Sequence, residues 1–193
     1  MSGLIAVGYF LFALFFSLIS FVLWTRIALR YFRLSSLHPL NQSLNKLTNP
    51  LTTPLSNLFK ANKNKKRLSR YDWACFSVLV FVEILKFTLI GLLFVGPRFP
   101  WHLLPLYVLA DLIVQPCNLL FYAIIIRVIM SWVNPRWNHP VADLLRLVTE
   151  PLLRLGRRII PDISGFDFSP YIMLIILKVI TLFISESLPL HLI

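Results

Sequence analysis

The chain has 193 residues, 58% of them hydrophobic, a formal net charge of +11 and a mean hydropathy of +0.76. Only 14% are charged, too few to clothe so much apolar surface in water, so a soluble fold is excluded and a bilayer is implied. A soluble nucleic-acid binder goes with it, because the cations gather in the connections between apolar runs.

Four runs are long enough to cross roughly 30 Å of hydrocarbon, which takes about 20 helical residues: about 4–25, 74–95, 110–133 and 170–190. The first has no Lys or Arg before it and an overlong apolar core, so it reads as a retained span and not a cleaved signal peptide. Trp24 falls at its inner end, and Arg26 and Arg30, one turn apart just beyond, read as interfacial anchors. Residues 39–59 do not span. Leu40, Leu44, Leu47, Leu51, Leu55 and Leu58 recur at helical spacing opposite a polar face, the pattern of a helix lying in the interface. Pro50 predicts a break in it, with Thr48 or Asn49 as cap. The following KANKNKKRLSR, with Lys63, Lys65, Lys66 and Arg67 at its centre, sits directly before a span, which makes anionic lipid its nearest partner.

The second span carries Glu83 and Lys86, three residues apart, near mid-bilayer. The loop GPRFPWHLLPLY holds one cation and reads as outward-facing. Asp111 is expected to begin the third span near that surface, Pro116 to bend it, and Arg127 to snorkel at its inner end, where Trp132 and Trp137 bracket the boundary. Val141, Leu145, Val148, Leu152, Leu155 and Ile159 then form a second apolar stripe, against Asp143, Arg146, Arg154, Arg157 and Arg158, with a second break expected at Pro151. The last span opens at Asp167, Ser169 and Pro170, which suit a helix N-terminus; Asp167 is also placed to pair with Arg157 or Arg158.

Lys and Arg number 0, 10, 1, 5 and 0 from segment to segment outside the spans. That alternation puts both termini outside and both long connections in the cytoplasm. The connections also resemble each other. An offset of 101 superposes Arg127 on Arg26, His139-Pro140 on His38-Pro39, and Thr149-x-Pro151-Leu152 on Thr48-x-Pro50-Leu51, and an offset of 95 later pairs Asp167 with Asp72. The expected fold is an all-α membrane protein: a tandem parallel duplication of four transmembrane helices and two broken interfacial helices. Repeat one covers 1–96, an external linker 97–110, and repeat two 111–193. The 95-residue offset sets Lys178 on Glu83, suggesting a buried acid–base pair across the pseudo-twofold axis, which either fixes helix register or belongs to a polar route.

Enzymatic readings find no footing. Cys75 and Cys117 form no CxxC, the repeat-related His38 and His139 sit at helix starts, and neither a deep histidine pair for haem nor a nucleophile triad nor a phosphate-binding glycine loop is present. No enzyme activity and no cofactor are expected. Thr149-x-Pro151-Leu152-Leu153, Arg157-Arg158-Ile159-Ile160-Pro161 and Gly165-x-Asp167-x-Ser169-Pro170, downstream of Arg127 and Trp132, resemble the signature of the YggT family of bacterial integral membrane proteins, which has plastid relatives. The chain departs from it at Leu155, where members often have a second proline, and in copy one, where Ser56-Asn57 replaces the arginine pair. The resemblance implies a multi-pass protein of the bacterial inner membrane, linked in different members to osmotic tolerance, to maturation of a plastid membrane cytochrome, or to envelope organisation. Three readings follow: a non-catalytic scaffold presenting basic helices to anionic lipid and to membrane-protein partners or further copies of itself, a small ion or solute transport component, and a cytochrome maturation factor. Lipid or partner contact falls to Lys63, Lys65, Lys66, Arg67, Arg154, Arg157 and Arg158. The intramembrane pair is Glu83 and Lys178, and the structural motif Arg127, Pro151, Asp167, Ser169 and Pro170.

Overall fold

The computed structural model describes residues 3–32, 42, 44–50, 52–53, 72–133, 139–159 and 167–189. Among them are helices and turns and no strand. Four helical stretches are long and apolar enough to cross a membrane: Gly3–Tyr31, Trp73–Val95, Trp101–Val133 and Ser169–Glu186. Many of their large apolar side chains point outward, among them Leu4, Phe10, Phe81, Ile113, Val179 and Phe183, a surface that hydrocarbon tolerates and water does not.

The third span is the hub. It packs on the first, the second and the fourth, while the first rests mainly on the second. Phe16 and Leu23 meet Cys75, Leu79 and Val82 in one cluster; Ile124 meets Met173 and Leu177 in another. At the end away from the long connections, Phe87, Phe99, Tyr107 and Leu188 close the bundle. There the second span leaves its α-helix through a π turn at Gly91–Val95, and Gly96 reverses the chain at φ +66°, a conformation that suits glycine. Two short 3-10 turns follow, and the third α-helix starts at Leu104, with Pro105 in its first turn. That is earlier than the apolar run indicates, so Asp111 lies two turns inside the helix and buried, not at its mouth.

Between the third and fourth spans runs a connecting helix, Pro140–Ile159. It continues through Pro151, against the expected break, and residues 44–50 with 52–53 are likewise helical on both sides of Pro50. A single missing amide donor does not end the Pro140–Ile159 helix because its second half is held from outside: Leu153 enters the Ile124–Met173–Leu177 cluster, and Gly156 lies against Ser169. The tightest-packed positions, Ala142, Thr149, Leu153 and Gly156, are offset from the expected stripe. Three of these are small and spaced by seven, so they let the helix approach its neighbours closely. The stripe residues Val148, Leu152 and Leu155 instead line an apolar cavity of about 570 Å³, together with Trp24, Tyr31, Trp73 and Phe76 from the first and second spans.

Candidate functional site

Arg127, at the end of the third span, holds the connecting helix. Its Nη1 donates to Thr149 Oγ1 at 2.8 Å and its Nη2 to Glu150 Oε2 at 2.8 Å, while Thr149 donates onward to the Leu145 carbonyl at 2.6 Å. The other oxygen of Glu150 receives Arg157 Nη2 at 2.5 Å and, more loosely, Arg154 Nε at 3.4 Å. Arg157 also reaches Asp167 Oδ2 at 3.1 Å, and Asp167 Oδ1 accepts the Ser169 amide, the first of the fourth span, at 2.9 Å. Five side chains thus bind the connecting helix to the adjoining ends of two spans. Hydrogen bonding from Arg127 is the largest influence on Glu150 and holds its carboxyl below the ordinary value. For Asp167 burial pushes the other way, and the bonds from Ser169 and Arg157 outweigh it, leaving this carboxyl lowered too.

The first span carries the matching arrangement. Arg26 Nη1 donates to Thr48 Oγ1 and, at 3.2 Å, to Asn49 Oδ1; Thr48 donates to the Leu44 carbonyl at 2.7 Å. Asp72 Oδ2 is met by Arg30 Nη1 at 2.6 Å and by Arg26 Nε at 3.5 Å, while its Oδ1 accepts the Cys75 amide and caps the second span. Arg26 and Arg30 are therefore more than surface anchors: they join the first span to the second.

The remaining polar cluster lies inside the bundle. Lys86 Nζ is 2.5 Å from Asp111 Oδ2 and 3.7 Å from Glu83 Oε2, Ser20 donates to Glu83 Oε1, and Gln115 to Asp111 at 3.4 Å. Glu83, Lys86, Asp111 and Ser20 are all buried. This corrects the expected Glu83–Lys178 pair. Glu83 is enclosed by Ser20 and Lys86, whereas Lys178 is exposed on the fourth span, which does not pack appreciably on the second.

The other candidate residues divide. Arg127 and Asp167 join one network through Glu150 and Arg157, Ser169 gives its amide to Asp167, Pro170 occupies the second position of the fourth span, and Pro151 lines the apolar cavity. Arg157 is engaged internally, so the outward cations of this helix are Arg146, Arg154 and Arg158. Lys63, Lys65, Lys66 and Arg67 lie outside the described residues. Glu150, Asp72 and Asp111 were missed as partners. Glu150 had a signal, since Arg154 and Arg157 follow it at i+4 and i+7 on one helix face. Asp111 had none, because its depth depends on where the third helix starts. Among the described residues no group of three His, Cys, Asp or Glu is arranged to hold a metal ion.

No solved structure matches the chain. The Escherichia coli (strain K12) protein called "Uncharacterized protein YggT" is 31% identical over 182 residues, covering 93% of this chain and 89% of that one. The "Uncharacterized protein in proC 3'region" of Vibrio alginolyticus is 30% identical over 167 residues, 86% of each chain. "Uncharacterized protein PA0392" of Pseudomonas aeruginosa is 40% identical over 68 residues, about a third of each. A family model described as CCB3/YggT matches twice, at residues 5–93 and 106–188, and the chain belongs to that family.

Proposed function

We propose that the chain is a non-catalytic inner-membrane scaffold or assembly factor, a parallel duplication that holds two amphipathic helices at the cytoplasmic face and presents their cations to anionic lipid and to membrane-protein partners. The observation that carries this is the repeated latch: Arg26–Thr48 and Arg127–Thr149 are the same bond 101 residues apart, each fastening an interfacial segment to the inner end of a span. The twofold match of the family model supports the duplication. Both termini are outside in this reading, as the cation alternation requires. Its outward cations are Arg146, Arg154 and Arg158, next to exposed Leu147 and Leu155. Cations over an apolar edge suit a headgroup region.

The test is native mass spectrometry of the purified chain. The parent should retain phosphatidylglycerol in preference to phosphatidylcholine, and Arg146→Gln, Arg154→Gln and Arg158→Gln together should lose most of that preference. Equal retention of both lipids by the parent would remove the lipid part of the reading. A transport component is the second reading, favoured by the charged cluster of Glu83, Lys86 and Asp111 at membrane depth. Lys86 pairs with Asp111 and, more loosely, with Glu83 inside the bundle, which speaks for a structural role, although Glu83 Oε2 is buried without a hydrogen bond. Ion flux into liposomes carrying the purified chain decides between the two. Cytochrome maturation rests on family resemblance alone.

A further inference from the structure

Lys178 is the cation left over once the buried cluster is assigned. It lies near the middle of Ser169–Glu186, about 13 Å from either end of the helix at 1.5 Å per residue, farther than a lysine side chain reaches. It is exposed, flanked on its own helix by the exposed Ile175 and Leu182, and among the described residues it has no ion pair or side-chain hydrogen bond. An ammonium bare to hydrocarbon at that depth is strongly disfavoured, and such residues face a partner or a polar cavity.

A second copy of the chain does not supply the missing charge. Asp72, Glu83 and Asp111 are buried and engaged. Asp143, Glu150 and Asp167 belong to the connecting helix or its junction with the fourth span, and Glu186 ends that span on the other side. Asp162 is outside the described residues, in the connection before the fourth span. No described carboxylate faces outward at the depth of Lys178.

We infer that the outer face of the fourth span, centred on Lys178, is a lateral docking surface for a transmembrane helix of a different protein that carries an Asp or Glu at mid-bilayer depth. This deepens the scaffold reading and rests on it for the existence of a protein partner, but it uses a surface separate from the arginines of the connecting helix.

The experiment places a photo-crosslinking amino acid at Leu182 of the full chain in native membranes and compares Lys178 with Lys178→Arg and Lys178→Leu. The expected result is an adduct with a second protein in the Lys and Arg forms, reduced at least tenfold in the Leu form. The crosslinked peptide should be a transmembrane segment with an acid within one turn of the attachment point, and changing that acid to its amide should abolish the adduct. If the Leu form does not accumulate, Lys178→Gln replaces it. An adduct of twice this chain's mass, attachment to lipid only, an adduct undiminished by loss of the charge, or a partner segment without an acid overturns the inference. Lipid retention through Arg146, Arg154 and Arg158 is measured on the same protein. Its survival alongside a failed adduct removes the lateral surface and leaves the lipid part of the scaffold reading standing.

Discussion

Glu150 accepts from three arginines, and its partners span a helix end, a helix middle and a helix junction. Because its carboxyl and that of Asp167 lie below their ordinary values of 4.5 and 3.8, each contributes stability that is complete above that range and is lost as the pH falls through the lowered values. Hydrogen exchange of the connecting helix should therefore be flat from about pH 5 to 8 once corrected for intrinsic rates, and should accelerate only in acid below about pH 4. Acceleration on going from pH 7 to 6 would show that some other group controls the docking. Lys86 allows a larger effect. Lys86→Met leaves Glu83 and Asp111 buried without their counter-ion, a loss of about 3–5 kcal/mol, while Glu83→Gln with Lys86→Met and Asp111→Asn restores most of it. Thermal unfolding in detergent reads both. The sequence placed Glu83 and Lys86 on one helix correctly, but the third member sits on another helix, and its depth is a tertiary fact that no spacing along the chain encodes.

The connecting helix shows where local rules yield to packing. Pro151 argues for a break, and an isolated peptide of this sequence is expected to bend there. Contacts with the third and fourth spans keep the helix whole, and Gly156 is the closest of them. A Cβ at this position would stand 2.9 Å from Ser169 Cβ, 3.1 Å from Met173 Cγ and 3.2 Å from the Ser169 carbonyl oxygen. Two of those atoms are fixed to the start of the fourth span and cannot swing aside. Gly156→Ala should cost about 1–3 kcal/mol and expose the connecting helix to protease, although alanine is the better helix former. Gly3→Ala, with nothing within 4 Å, is the control and should change neither. The four spans were legible because apolar length alone declares them, and the bond from the Ser169 amide to Asp167 because the two lie close together in the chain. Helix ends were less legible: the α-helix of the third span starts at Leu104 because Pro105 favours a first turn, a weaker signal than the apolar run that begins after it.

Taken whole, the described chain is asymmetric from end to end: hydrogen-bonded arginines and carboxylates bind its helices at one face, and Phe99, Tyr107 and Leu188 bind them at the other. Two jobs are proposed for the cations of the first connection, setting orientation and holding lipid, and they make different demands on number. Orientation depends on the difference between successive connections, here ten cations against one. Changing Lys63, Lys65, Lys66 and Arg67 to glutamine leaves six against one, still a wide margin. Lipid attraction instead scales with each charge near the surface, at about 1 kcal/mol per cation, so the same change should remove most of the contribution of that run. The fourfold variant should therefore keep a reporter behind Ile193 active on the outer side and keep Arg146→Cys labelled only from the cytoplasm, while its preference for anionic over neutral lipid falls by at least tenfold. A reporter active in the cytosol in the parent contradicts the placement of both termini outside, and one active there only in the variant shows that these four cations set the orientation, whereas an unchanged lipid preference leaves the orientation intact and moves lipid contact to the arginines of the second connection.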